Sequence, residues 1–189
     1  MARAQRADAC RNRDRLLEVA SEAFARDGVD ASLEGIAKAA GVGVGTLYRH
    51  FPNRDVLMEA VYRRNVEQLV LEAEELLENK PPVEALGEWM QRFVAYVATK
   101  KGLATHLKTV VAADSDLFAS SHARLSATMQ QLVETARASG EIRADADPMD
   151  VLRALSGVCL MGDLPGWEDQ ARRISGLLMD GLRYGASGA

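Results

Sequence analysis

Four side chains that can hydrogen-bond to nucleic acid stand close together in the sequence: Thr46, Tyr48, Arg49 and His50. Their hydroxyl, phenol, guanidinium and imidazole groups are suited to phosphate oxygens, and threonine and arginine also suit base edges in the major groove. The preceding Val44 and Gly45 are small enough for close approach, and a valine can pack against a thymine methyl group. This segment therefore predicts a surface that contacts duplex DNA.

The flanking sequence predicts the elements that would position this surface. ASLEGIAKAA is typical of a short helix with Ser32 as its N-cap, and Gly41 ends that helix. A second short helix is predicted over about 44–50, and Leu47 and Phe51, four residues apart, would anchor it to the helices before it. Helix, glycine turn, helix is the arrangement that places a recognition helix in a major groove.

Other functions for this glycine-rich segment fit less well. The glycines at 41, 43 and 45 do not form GxGxxG, because position 46 is threonine, and no predicted strand precedes them. The lysine of a phosphate-binding P-loop is missing as well. A purely structural role, a tight corner between helices, leaves the adjacent polar side chains unexplained. DNA binding is the interpretation that we favour.

Charge is distributed unevenly along the chain. Residues 1–64 carry 11 basic and 9 acidic side chains, whereas the remainder carries 12 and 18, within a total net charge of −4. The basic excess is greatest at the start, where five arginines face only Asp8 and Asp14: Arg3, Arg6, Arg11, Arg13 and Arg15. Because phosphate contacts dominate affinity for nucleic acid, this asymmetry agrees with a DNA-binding head on an acidic body.

The whole pattern is helical, with short Gly, Pro or Asp breaks. We predict an all-α fold of about nine helices: roughly 12–26, a short second and third, 54–77, 82–100, 103–112, 117–138, 148–161 and 167–185. Asn53 is expected to cap the fourth helix, and Asp147 the helix that starts at Pro148. The expected domains are a helix-turn-helix DNA-binding domain over 1–54 and a helical regulatory and dimerisation domain over 55–189.

Several classes of function are not expected. No apolar run approaches the ~20 residues that span a bilayer, and the N-terminus lacks a signal core, so we expect a cytoplasmic protein without a membrane partner. Cys10 and Cys159 form no CxxC pair or Cys/His cluster, so we expect neither a metal site nor another cofactor. A catalytic triad from His106, Asp114 and Ser115 can be imagined, but nothing in the sequence positions it. Catalysis is therefore the weakest alternative.

The run ASLEGIAKAAGVGVGTLYRHFPNRDVLMEAVY closely resembles the N-terminal domain of TetR/AcrR (tetracycline-repressor-like) transcriptional regulators. The resemblance covers about residues 11–60. The later run RFVAYVATKKGLATHLK resembles the SbtR-like C-terminal type. The resemblance implies three DNA-binding helices with a larger helical body. It also implies a homodimer that binds a palindromic operator, usually to repress, and that leaves DNA when a small molecule fills the body. An activator or an effector-independent regulator with the same head remains an alternative.

The candidate sites follow from these patterns. We expect DNA contacts from residues at the starts of the second and fourth helices and from the third helix: Ser32, Leu33, Val44, Gly45, Thr46, Tyr48, Arg49, His50 and Arg54.

Aromatic and sulfur side chains in the body could line an effector pocket, although core packing explains each of them equally simply. This expected pocket set is Trp89, Phe93, Tyr96, His106, Met129 and Met161.

Apolar stripes in the last two helices could form the dimer surface by analogy with the family, or could face the protein's own core. The residues of these stripes are Val151, Leu155, Val158, Ile174, Leu177, Leu178 and Leu182.

Overall fold

Helix-forming residues separated by glycine and proline breaks produce a succession of helices in the computed structural model, which describes residues 2–110, 115–160 and 166–184. Within these ranges the chain has eight α-helices and no strand, so the predicted all-α fold is confirmed. The helices are α1 (Ala2–Asp27), α2 (Leu33–Ala39), α3 (Val44–His50), α4 (Arg54–Asn79), α5 (Pro82–Val110), α6 (Ser115–Ala138), α7 (Pro148–Leu160) and α8 (Trp167–Arg183).

The described chain forms two compact units. The first contains α1 to α3, α4 up to Asn65 and α5 from Ala98, while the second contains the rest of α4 and α5 together with α6 to α8. Both α4 and α5 are therefore shared between units. The predicted domain boundary after residue 54 lies at the start of α4, whereas the compact units divide α4 between Asn65 and Val66.

A small apolar core holds the first unit together. Its largest fully buried side chains come from α1 to α4 and from the residue that follows α3. They are Leu16, Phe24, Ile36, Leu47, Phe51, Leu57 and Met58. Leu47 and Phe51 are buried as predicted, which fixes α3 against its neighbours. Burying a side chain of this size contributes about 1.5–3 kcal/mol, so these few residues supply much of the stability of the unit.

Local capping interactions define the helix ends in the first unit, and they agree with the sequence predictions. Ser32 Oγ accepts a hydrogen bond of 3.1 Å from the backbone N–H of Gly35, and Asn53 Oδ1 accepts one of 2.9 Å from Val56. After α2, Gly41 has φ of +70°. The N–H groups of Gly41 and Val42 then donate to the carbonyls of Lys38 and Ala37, closing the helix end as a Schellman turn.

Two predictions about helix bounds were wrong, and one short helix was not predicted. α1 begins at Ala2 rather than near residue 12, because the alanines, arginines and glutamine of this stretch are good helix formers uninterrupted by glycine or proline. The break predicted between helices at 82–100 and 103–112 is absent, because α5 is continuous over Pro82–Val110, where its described residues end. A lone glycine such as Gly102 costs only about 1 kcal/mol inside a helix, which neighbouring interactions overcome. A three-residue 3₁₀ helix, Gly28–Asp30, was not predicted.

The second unit has a core rich in aromatic and aliphatic side chains. Trp89 is fully buried, and its Nε1–H donates to the carbonyl of Leu69 at 2.8 Å, joining α5 to α4. Ion pairs lie at the surface of the same region. Glu88 of α5 accepts from Arg92 and from Lys80, which follows α4, and Arg92 also lies 3.3 Å from Glu72 of α4. In this unit, α4 and α5 are therefore joined by a buried hydrogen bond and by ion pairs at the surface.

Three smaller features concern membrane spanning, the two cysteines and the cap of α7. None of the described helices combines the length and apolar character that crossing a bilayer requires. Cys10 is an exposed thiol, whereas Cys159 is buried. Asp147 caps α7, since its Oδ1 accepts from the N–H groups of Met149 and Asp150 at 2.8 and 3.0 Å.

Candidate nucleic-acid interface

α3 presents its polar side chains on the surface of the first unit. Tyr48 is 43% exposed, and Arg49 is exposed as well. Leu47, which stands between Thr46 and Tyr48 in the sequence, is completely buried. Thr46 and His50 are half-buried, and the His50 ring lies 6.2 Å from that of Phe51. The helix therefore has one face in the core and another that carries hydrogen-bonding groups to solvent.

The leading turn of α3 is open. Gly43 caps the helix with extended backbone and no side-chain hydrogen bond. A Cβ added at Gly43 or Gly45 would meet no atom within 4 Å. The free protein therefore has room for a larger residue at position 45. Val44 beside it is half-buried. This bare turn could approach a base pair closely.

Ser32 and Leu33, at the start of α2, have different surroundings. Ser32 is exposed and its hydroxyl, besides capping α2, lies 3.2 Å from Glu34 Oε2. Leu33 is only 7% exposed and belongs to the core. Its side chain therefore holds α2 in place, and of these two side chains only Ser32 can reach a ligand.

Arg54 is held by the protein backbone. Its Nη1 donates to the carbonyl oxygens of Val29 and Ala31, both at 2.7 Å, and the side chain is half-buried. These carbonyls belong to the 3₁₀ helix and the residue that ends it. The sequence predicted Arg54 as a DNA contact but offered no sign of this long-range bond, which only the fold reveals.

The residues expected around an effector pocket pack in the core of the second unit. Trp89, Phe93, Tyr96 and Met129 are all buried, and the aromatic rings follow each other along α5 at centroid separations of 5.5 and 5.7 Å. The side chain of His106 and the whole of Met161 lie outside the described residues. All four described side chains therefore lie inside the second unit and not on its surface.

The apolar stripes of α7 and α8 divide between core and surface. Val151, Leu155 and Leu182 are buried within the second unit. The half-buried members are Val158, Ile174 and Leu178, and Leu177 is 69% exposed. Helical periodicity alone could not separate these groups, because both are spaced at three and four residues.

Within the described residues, no group of three His, Cys, Asp or Glu side chains is placed as a metal site would require. The first unit instead exposes the capping serine of α2 and the polar face of α3. Such a set of hydroxyl, phenol, guanidinium and imidazole groups suits phosphates and base edges.

Comparison with known proteins gives two family matches that together cover most of the chain. Residues 16–61 match the family of bacterial regulatory proteins called tetR, and residues 81–184 match the C-terminal domain of SbtR-like transcriptional regulators.

Solved structures of similar proteins agree with these matches. A TetR transcriptional regulator from Streptomyces coelicolor is 43% identical, with a TM-score of 0.83 over 90% of this chain and 98% of that one. A TetR regulatory protein from Mycobacterium vanbaalenii is 35% identical, with a TM-score of 0.76 over 95% and 99% of the two chains.

Similarity to curated proteins is confined to a shorter stretch. An HTH-type transcriptional regulator from Staphylococcus aureus is 38% identical over 72 residues, which are 38% of this chain and 39% of that protein. The chain therefore spans about two fifths of the length of the curated relatives it matches.

Proposed function

Because this chain belongs to the TetR family of transcriptional regulators, we propose that it binds a palindromic DNA operator as a homodimer, represses transcription there, and is released by a small-molecule effector. We expect it to act in the cytoplasm, since its family consists of bacterial regulatory proteins. The observation that carries the proposal is the division of α3 into a buried face, with Leu47, and an exposed face, with Tyr48 and Arg49.

The DNA-contacting set follows from exposure. Thr46, Tyr48, Arg49 and His50 of α3 are the side chains that we propose for phosphates and base edges, with Val44 and Gly45 at the leading turn. Ser32 adds a hydroxyl at the start of α2. Leu33 and Arg54 act indirectly by holding α2 and the link before it, because one is buried and the other is bonded to backbone carbonyls.

Dimerisation through α7 and α8 is supported by apolar side chains that their own unit leaves uncovered. Leu177 is the most exposed of them, and Ile174 and Leu178 stand three residues before and one residue after it on α8. A symmetric pair would present two copies of α3, and entry into successive major grooves needs them about 34–36 Å apart.

Release by an effector would use α4, which begins in the DNA-binding unit and continues into the other. A ligand that binds better when α4 is tilted would shift the protein towards that tilted conformation. The distance between the two α3 helices of the dimer would then no longer match the operator. Tyr96 and His106 are the proposed polar contacts for that ligand. If Y96F and H106A both leave effector affinity unchanged, this assignment is wrong.

The test of DNA binding is fluorescence anisotropy with fragments of the host genome that contain inverted repeats. Wild type should bind at low salt, and the double variant Y48A/R49A should lose at least tenfold in affinity. A control is E67A/E74A, which removes two exposed side chains of α4 that belong to the other compact unit. Equal binding by wild type and Y48A/R49A would contradict the proposal.

The sign of regulation needs a separate measurement. With a reporter gene placed behind the bound fragment, repression predicts higher expression when the regulator is deleted. Lower expression in the deletion strain would indicate the activator alternative, and expression that no small molecule changes would indicate an effector-independent regulator.

A further inference from the structure

Two arginines of α1 stand beside the two ends of the recognition helix. The guanidinium carbon of Arg13 lies 5.6 Å from the centroid of the Phe51 ring, and Phe51 is the residue that ends α3. Arg15 covers the turn before α3: a Cβ built at Gly41 would lie 3.9 Å from the Arg15 guanidinium carbon. The sequence predicted neither neighbour, because α1 and α3 are about thirty residues apart in the chain.

These two cations differ from others on the same helix in having no acidic partner. Arg11 is paired with Asp8, and Arg26 with Asp27. Among the described residues, no carboxylate lies within ion-pair distance of Arg13 or Arg15, and both side chains are exposed. Their charge is therefore available to a ligand.

The contact of Arg13 with Phe51 holds the guanidinium near the end of α3. A cation–π contact leaves the guanidinium N–H groups unused, and their fork of donors matches phosphate oxygens. The ring also limits the conformations that the long side chain can adopt, which lowers the entropy lost on binding.

If α3 enters a major groove, its length would bring both arginines near the DNA backbone. Seven residues make α3 about 10 Å long at 1.5 Å per residue, which is comparable to the ~12 Å width of the major groove. Phosphates line both sides of that groove, so cations beside either end of an inserted helix come close to them.

We propose that Arg13 and Arg15 form a phosphate-binding clamp that α1 supplies on either side of α3. The clamp rests on the proposed function, since it needs α3 to enter a groove. It adds affinity without adding sequence preference, because phosphate contacts position a protein on DNA but do not distinguish bases.

The test is the salt dependence of binding to a fragment that wild type binds, measured by anisotropy between 50 and 200 mM salt. R13A and R15A should each make the slope of log affinity against log salt shallower by about 0.9 per bound copy of the protein. Over the fourfold rise in salt, each variant should therefore lose about 3.5-fold less affinity per bound copy than wild type loses. R13K keeps the charge and should keep the slope. Preference for the fragment over a scrambled one should not change in any of these variants.

The charge-matched control is R63A, which removes an exposed cation paired with Glu59 nine residues into α4. Thermal melts followed by circular dichroism establish that each variant is folded at the temperature of the titration. If R13A and R15A still bind DNA and their slopes equal that of R63A, the clamp is wrong but the proposed function stands. Wild type that binds no DNA at low salt would overturn the proposed function together with it.

Discussion

The Nη1 atom of Arg54, at the start of α4, lies 2.7 Å from the carbonyl oxygen of Ala31, the residue before the N-cap of α2. The same nitrogen bonds to the Val29 carbonyl. One side chain thus ties the beginning of α4 to the link between α1 and α2. Ser32 follows directly, so the bond also sets the position of a hydroxyl proposed to meet DNA.

Replacement of Arg54 by alanine should destabilise the first unit by about 1.5–3 kcal/mol, the range for hydrogen bonds made by a charged group. The two carbonyls would lose their partner in a half-buried place. Urea unfolding followed by circular dichroism measures the change. R54K should recover only part of the loss, since an ammonium lacks the fork of donors, and a midpoint for R54A equal to wild type would contradict the assigned role.

G45A should affect stability and DNA binding in opposite directions. In the free chain the new methyl group meets open space, and alanine is favoured over glycine in a helix by about 0.5–1 kcal/mol, so the melting temperature should rise. On DNA the same methyl group would hinder close approach of the leading turn, so affinity should fall.

The control for G45A is G87A in α5, a helical glycine where an added Cβ would lie 3.8 Å from Met179, an ordinary van der Waals distance. It should raise stability and leave DNA affinity as it was. If G45A binds DNA as tightly as wild type, the leading turn of α3 does not approach the bases closely.

L177E should convert the protein to monomers if the exposed apolar side chain of α8 lies in a symmetric interface. Two copies of the carboxylate would then be buried close to the symmetry axis without a partner. Sedimentation velocity at micromolar concentration provides the measurement. L71E places the same charge at another exposed leucine, 56% accessible on α4, and should remain dimeric; a dimeric L177E would exclude this surface.

Glu88 should contribute a pH-dependent part of the stability. Hydrogen bonds from Lys80 and then from Arg92 hold the pKa of its carboxyl below the ordinary value of 4.5. A lowered folded-state pKa means that the stabilisation is present above the unfolded-state value and is lost as pH falls through the folded one.

E88Q should therefore unfold more readily than wild type at pH 7, and the difference should shrink towards pH 3. The matched control is E84Q, an exposed acid one turn earlier on α5. A difference between wild type and E88Q that stays constant from pH 7 to pH 3 would show that the ion pairs do not contribute.

Local chemistry explains which features the sequence could predict. Caps at Ser32, Asn53 and Asp147 and the turn at Gly41 depend on neighbours a few residues away, so their residue types alone indicate them. The contacts of Arg54 with Val29 and of Arg13 with Phe51 join distant parts of the chain, and no periodicity reveals them.

The sequence also could not predict which side chains of an apolar stripe are buried. Leu155 and Leu177 occupy equally regular apolar stripes, yet one is buried in its own unit and the other is exposed. A helical repeat shows that a face is apolar but not what covers it. The same limit applies to Leu33, whose place at the start of α2 suggested a DNA contact while its side chain lies in the core.

The most direct test is selection of bound sequences from a pool of random duplex DNA with the purified wild-type protein at low salt. The account predicts enrichment of an inverted repeat whose half-site centres are about 10 base pairs, or a multiple of that, apart. Recovery of a pool with no enriched motif, or of a single unrepeated half-site, would contradict the central claim that paired α3 helices enter successive major grooves.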